Sequence, residues 1–145
     1  MKLYTIGFTK KTAERFFTKL KEARVARIID VRLNNVSQLA GFAKRDDLRY
    51  FAREIGAMDY VECPALAPCK AILDAYKKNA GDWVVYEQAF RALLAERRVE
   101  RQLNPADFHN ACLLCSEHLA EHCHRRLAAE YLQAQWGDIE IVHLA

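Results

Sequence analysis

Short apolar segments alternate with amphipathic segments along the whole chain, and this alternation limits the possible folds more than any other feature. The short apolar segments, which predict strands, are KLYTIG, ARIIDV, DYVECP, NACLLC and IEIVHL. Helical spacing separates them, as in TAERFFTKLKEA, where Phe16, Phe17 and Leu20 share one face. Such alternation predicts an α/β fold, a Rossmann-like three-layer sandwich whose mostly parallel sheet is covered by helices on both faces.

The helix boundaries follow from turn-forming residues. RDDLRYFAREIG is predicted to end with Gly56 in the C′ position, and the last helix to end at Gly137. Two further helices are expected over residues 69–79 and 82–101. The order of the strands within the sheet does not follow from this pattern.

Length and composition predict one soluble domain over residues 1–145, since 52% of the residues are hydrophobic and 28% are charged. No apolar run approaches the roughly 18–20 residues that span a bilayer, so we expect no membrane association. The apolar run within the initial MKLYTIGFTKK is too short for a signal peptide. Five cysteines, an odd number, then predict free thiols in a cytoplasmic protein, with neither Cys63–Cys69 nor Cys115–Cys123 joined.

Polar residues follow the apolar strands at their carboxyl ends, where open parallel sheets bind ligands. These residues are Thr5, Gly7 and Thr9 in the first strand and its loop, Asp30 and Arg32 after the second, Glu62 and Cys63 after the third, and Cys115, Ser116 and Glu117 after the fourth. The last helix opens with Cys123, His124 and Arg125. We therefore expect a site at this edge. Asp30 and Arg32 can also simply pair with each other, and Gly7 can simply permit a turn.

The stretch LLCSEHLAEHCHRR concentrates cysteine and histidine, so metal binding must be considered. Structural zinc sites usually combine two spaced ligand pairs, whereas this stretch has C-x2-H followed by adjacent ligands. Consecutive helical residues point about 100° apart and cannot all reach one ion. A site made by Cys115, Cys123 and one histidine stays geometrically possible. The spacing nevertheless leads us to expect no metal, and the sequence identifies no cofactor.

Helical periodicity directs His124 and Arg125 toward the crevice, while Arg126 and Glu130 form an outward i,i+4 pair. Arg125 in the first helical turn suits a phosphate or carboxylate. For His124 the alternative is a buried, hydrogen-bonded core histidine. Cys123 lies at the helix start and Cys115 faces it, so either thiol can be a nucleophile if its thiolate is stabilised. The alternative for both is a small buried hydrophobe.

Three motifs, TIGFT, IDVRLNNVSQLAGF and LLCSEHLAEHCHRR, resemble the DUF488 family in order and spacing, in its short single-domain form. The resemblance implies that the family's shared polar positions are Gly7, Asp30, Arg32, Ser37, Cys115, Glu117, Cys123, His124 and Arg125. The chain departs from the family at Phe8 and Thr9, where many members have His-Ser, so no basic histidine is available in the first loop. The family name assigns no reaction.

We therefore expect a small cytoplasmic enzyme acting on an anionic substrate, for which a nucleotide is one candidate. Arg32 and Arg125, with Gly7 and Ser37, would bind the anion. Glu117 or Asp30 would be the general base with His124 as its acid partner. The alternative is a non-catalytic module that binds a nucleotide signal or nucleic acid. A net charge of +3 and acidic residues at the site favour a small ligand over nucleic acid.

Overall fold

The computed structural model describes residues 1–36, 41–78 and 81–145. The strands in these ranges are β1 (Lys2–Gly7), β2 (Arg27–Asp30), β3 (Asp59–Glu62), β4 (Ala111–Cys115) and β5 (Glu140–His143). The α-helices are α1 (Ala13–Glu22), α2 (Arg45–Gly56), α3 (Lys70–Lys78), α4 (Trp83–Arg97), α5 (Val99–Gln102) and α6 (His124–Trp136). The strands form one sheet in the order β3-β2-β4-β1-β5, and every neighbouring pair is parallel.

Two apolar cores lie on opposite faces of this sheet. One core joins the strands to α1 and α2 and includes Ile6, Phe16, Ile28, Leu48 and Leu114. The other joins the strands to α4 and α6 and includes Leu3, Ile29, Phe90, Leu113 and Leu127. Successive residues of β2 and β4 thus face opposite cores, which is why Ile28 and Ile29 of β2 and all five residues of β4 are apolar. The structure confirms the predicted three-layer α/β architecture.

The predicted helix boundaries are wrong at two places. Gly56 is the last residue of α2, and Ala57 after it adopts the left-handed conformation with φ of 51°. The helix expected over 82–101 is interrupted at Arg98, which has φ of 54° and separates α4 from α5. α4 is the longest described helix at 15 residues. None of the helices in the described ranges is both long and apolar enough to cross a membrane.

Candidate functional site

A cavity of about 300 Å³ opens at the carboxyl ends of the strands. It lies among the loops after β2 and β4, the helices α3 and α4, and the start of α6. Its lining includes Arg32, Tyr76, Trp83, Cys115, Glu117, Cys123 and His124. Five of the nine residues expected at the site therefore contribute to one cavity wall. Gly7, Asp30 and Arg125 do not line this cavity, and Ser37 is outside the residues that the structure describes.

Two cysteines meet at the inner end of the cavity. Cys115 ends β4, Cys123 precedes α6, and each is at most 2% exposed. The structure joins their sulfur atoms in a disulfide. The expectation of five free thiols is therefore wrong for this pair, because the strand end and the helix start converge on one point. Cys63, Cys69 and Cys112 are free.

The backbone of Cys123 explains how adjacent residues reach the same point. Cys123 is the N-cap of α6, with φ of −137° and ψ of 139°, so it is extended rather than helical. The 100° rotation between successive helical residues therefore does not separate its side chain from that of His124. The two sulfur atoms and a ring nitrogen of His124 lie within 4.8 Å of one another.

The ring of His124 is held in one orientation and one tautomer. Nε2 lies 2.6 Å from the carbonyl oxygen of Val31, which can only accept, so Nε2 carries the proton and donates. Nδ1 consequently bears a lone pair. Burial lowers the pKa of His124 to about 4, against smaller opposing effects, so the ring is neutral at neutral pH. Phe90 packs edge-on against it, with ring centroids 5.6 Å apart.

Arg125 supports the cysteine pair from behind, which differs from the expected position on the cavity wall. Its Nη1 donates to the carbonyl oxygen of Glu117 at 2.6 Å and to Sγ of Cys115 at 3.1 Å. Its side chain is almost completely buried because α6 packs against the sheet. Burial lowers its pKa to about 10, so the guanidinium is still charged at neutral pH. Arg125 therefore places positive charge against a sulfur atom rather than in the cavity.

Asp30 and Arg32 form a buried ion pair, which is the structural alternative raised by their spacing. Nε and Nη2 of Arg32 donate to the two carboxylate oxygens of Asp30 at 2.9 and 2.8 Å. The backbone N–H of Arg32 and the hydroxyl of Tyr60 also donate to this carboxylate. Asp30 therefore has no free oxygen with which to act as a base. Nη1 of Arg32 has no hydrogen-bond partner among the described residues, and Arg32 lines the cavity.

The first loop fixes the turn that carries Glu117. A β-carbon at Gly7 would overlap the carbonyl oxygen of Glu117, so only glycine permits this close approach. The backbone N–H of Thr9 donates to Ser116 O at 3.1 Å, and Lys11 Nζ donates to Gly7 O at 2.9 Å. Burial, followed by the charge of Arg125, lowers the pKa of Lys11 to about 8. The side chain of Glu117 is exposed and lines the cavity.

An aromatic wall opposite the cysteines was missed by the sequence analysis. Trp83 stacks on Tyr86 with centroids 4.9 Å apart and on His122 with centroids 5.0 Å apart. Tyr76 packs edge-on against Tyr86 at 5.1 Å. The spacing of Trp83, Tyr86 and Phe90 along α4 places aromatic rings on one helix face, and this was the available signal. The strand-end rule considers only the strands and the loops after them, and these rings lie on helices.

The family model for DUF488, described as a domain of unknown function, matches residues 12–132. The chain belongs to the DUF488 family. The match includes Asp30, Arg32 and all of the residues from Cys115 to Arg125, and it begins after Gly7. No curated protein and no solved structure matches the chain significantly. What this DUF488 domain does must therefore be argued from the geometry of its site.

Proposed function

We propose that this DUF488 domain is a small enzyme that acts on an anionic substrate carrying a flat ring, with a nucleotide as the leading candidate. One observation supports this most. Sulfur, imidazole and carboxylate groups line the same cavity as a row of stacked aromatic side chains. Ligand sites typically combine such apolar walls with a few convergent polar groups. A cavity of about 300 Å³ suits a small molecule rather than a nucleic-acid strand.

The aromatic wall and Arg32 would bind opposite ends of the substrate. Tyr76, Trp83 and Tyr86 line the cavity and give it an aromatic surface against which a base can pack. Arg32 would bind an anionic group through its guanidinium, whose Nη1 is buried and has no hydrogen-bond partner among the described residues, and a charge-assisted hydrogen bond of this kind is short and strong. Because Asp30 holds the other donors of Arg32, this Nη1 is fixed in direction before any ligand arrives.

Glu117 is the best candidate for proton transfer. Its carboxylate is exposed at the cavity, whereas both oxygens of Asp30 accept hydrogen bonds inside the protein. A general base must reach the proton that it removes, and only Glu117 of these two faces the ligand space. His124 is neutral and carries a lone pair at Nδ1, so it serves as an acceptor or ligand rather than as a general acid.

A non-catalytic binding module is the second candidate. The observation that favours it is the Asp30–Arg32 pair, which makes Asp30 a structural partner of the arginine rather than a catalytic group. A binder would use the same Arg32 donor and the same aromatic wall, and it would not need Glu117. We infer that the protein acts in the cytoplasm under either function, where a reducing environment would reduce the Cys115–Cys123 disulfide to two thiols.

The test combines binding and turnover on the reduced full-length protein. Thermal shift against nucleoside mono-, di- and triphosphates identifies a ligand, and chromatography of the incubated ligand detects its conversion. Glu117→Gln should keep the thermal shift and lose conversion at least about a hundredfold, the usual contribution of a general base. Glu121→Gln is the matched control, since Glu121 is exposed nearby but outside the cavity lining. Unchanged conversion in Glu117→Gln would contradict the role of Glu117 as the general base, and binding without any conversion by the wild type would contradict the enzyme role. A panel in which no compound binds would contradict the proposal as a whole.

A further inference from the structure

We propose that Cys115, Cys123 and His124, with both cysteines reduced, form a zinc site whose fourth coordination position opens into the cavity. This inference deepens the proposed function, because it names the reactive centre of the same cavity. The two sulfur atoms and the imidazole nitrogen already lie within 4.8 Å of one another. Zinc–sulfur and zinc–nitrogen bonds of about 2.3 and 2.0 Å place tetrahedral ligand atoms roughly 3.5–4 Å apart. The three side chains therefore need only small movements to surround one ion.

The distance between the Cα atoms of Cys115 and Cys123 leaves room for an ion between two thiolates. The Cα atoms of Cys115 and Cys123 are 7.6 Å apart, whereas disulfides usually have Cα separations of about 4.4–6.8 Å. The backbone around both residues is held independently of the sulfur atoms. Cys115 pairs with Gly7 across β4 and β1, and the backbone N–H of Cys123 donates to Ala120 at 3.2 Å.

The hydrogen bond of His124 has the form found around metal-binding histidines. Such histidines usually donate their second ring N–H to a carbonyl or carboxylate, which fixes the tautomer and directs the other nitrogen at the metal. Here Nε2 donates to Val31 O at 2.6 Å, so the lone pair of Nδ1 is available for the metal. The strand end that supplies Val31 thereby orients the third ligand.

Arg125 supplies the charge that a thiolate ligand requires. Its Nη1 donates to Sγ of Cys115 at 3.1 Å, and the guanidinium is buried directly behind the sulfur. A hydrogen bond from a cation stabilises the thiolate, the form in which cysteine binds metals. Two thiolates and one imidazole are soft and intermediate ligands, which zinc prefers over magnesium or calcium.

The open side of the cluster indicates a catalytic rather than a purely structural ion. Three protein ligands, two cysteines and one histidine, form a set used by catalytic zinc with a water molecule in the fourth position. Cys115, Cys123 and His124 all line the cavity, so that position faces the ligand space. A zinc-bound water loses a proton near neutral pH and becomes a nucleophile. Glu117 is exposed at the same cavity and is the group that can accept this proton.

Reduction must precede metal binding, because the structure holds the two sulfurs as a disulfide. A thiol or phosphine reductant supplies two electrons, and two protons complete the two thiols. Zn²⁺ then replaces these two protons, which are released to solvent. The disulfide and the zinc site therefore exclude each other. Oxidation by a disulfide compound would release the ion and join the two sulfurs again.

The experiment uses the full-length protein, reduced with a phosphine and titrated with Co²⁺ under nitrogen, followed by competition with Zn²⁺. We expect one equivalent of Co²⁺ to produce a thiolate-to-cobalt charge-transfer band with tetrahedral visible bands, and Zn²⁺ to abolish them. Cys115→Ser, Cys123→Ser and His124→Gln should each lose or strongly weaken this spectrum. Cys112→Ser is the matched control and should retain it, since Cys112 is equally buried in β4 but belongs to the opposite core.

A second measurement needs no variant and therefore does not depend on folding of the substituted chains. Zn²⁺ should protect Cys115 and Cys123 of the reduced wild type from iodoacetamide, while Cys69, which is partly exposed, is alkylated at an unchanged rate. Equal alkylation with and without Zn²⁺, or a cobalt spectrum retained in Cys123→Ser, would overturn the zinc site. If nucleotides still shift the melting temperature in that case, the proposed function survives. Zinc bound without any nucleotide binding would contradict the proposed function alone.

Discussion

Gly7 and Glu117 are in backbone contact: a β-carbon on Gly7 would occupy the position of the Glu117 carbonyl oxygen. The same oxygen accepts a hydrogen bond from Arg125 at 2.6 Å. Direct contacts therefore join Gly7 in β1, the turn after β4 and Arg125 in α6. Arg125 also donates to Sγ of Cys115, so the same arginine joins this contact to the cysteine pair.

Gly7→Ala should lower the free energy of unfolding by about 1–3 kcal/mol, the usual cost of added volume in a packed region, or more. The backbone oxygen cannot move aside without breaking its bond to Arg125. Urea denaturation of the reduced protein measures the loss. Gly41→Ala is the matched control, because no described atom lies within 4 Å of a β-carbon there. Equal losses in the two variants would show that the contact is not tight.

Asp30→Asn should destabilise the protein by about 3–5 kcal/mol, because it leaves the buried guanidinium of Arg32 without its counter-ion. Asp59→Asn is the control on the neighbouring strand. Asp59 is 72% exposed and lies 3.5 Å from Arg27, so its loss should cost less than about 1 kcal/mol. Chemical denaturation compares them. A stable Asp30→Asn variant that has lost substrate conversion would instead restore Asp30 as a candidate base.

The sequence predicted the strands because their signal is local. Ile28 and Ile29 of β2 and all of β4 are apolar since both faces of the sheet are buried there, and such runs are recognisable without knowledge of the neighbouring strand. The strand-end rule likewise directed attention to Arg32, Cys115 and Glu117. The strand-end rule does not predict how deeply each side chain is buried. Asp30 and Arg32 pair internally, which depends on the cover that Tyr60 provides from β3.

The cysteine pair shows why the rest of the site was less predictable. A helical Cys123 would direct its sulfur away from the side chain of His124, whereas its extended N-cap backbone turns the sulfur toward Cys115. Arg125 was placed in the crevice from helical periodicity, but its guanidinium extends backward to the Glu117 turn. Both differences arise where the start of α6 meets the end of β4 and the turn after it. Helical periodicity describes α6 alone, so it does not predict these contacts.

The C-terminus of α2 offers a prediction about the helix boundary. Ala57 has φ of 51°, a conformation that costs a residue with a β-carbon roughly 1–2 kcal/mol. Glycine removes that cost in the folded state, but it also raises the conformational entropy of the unfolded chain, which offsets part of the gain. Ala57→Gly should therefore raise the free energy of unfolding by about 0.5–1 kcal/mol. Ala95→Gly, at an exposed position inside α4, should lower stability by about 1 kcal/mol. If the melting temperatures of Ala57→Gly and Ala95→Gly shift in the same direction, the left-handed conformation of Ala57 would be contradicted.

Lys11 gives a prediction about alkaline pH. Its pKa is lowered from 10.5 to about 8, first by burial and then by the charges of Arg125, Arg15 and Lys19. Between these two values the unfolded chain binds more protons than the folded chain, so the contribution of Lys11 to stability rises with pH. The free energy of unfolding of wild type minus that of Lys11→Met should increase by about 1–3 kcal/mol from pH 7.5 to 10.5. Subtracting the variant removes the titration of the tyrosines and cysteines from the comparison.

Lys21→Met, at an exposed position of α1, should follow the wild-type profile throughout. A difference between wild type and Lys11→Met that is constant or falls with pH would show that the ammonium of Lys11 is not held in a desolvated environment beside Arg125.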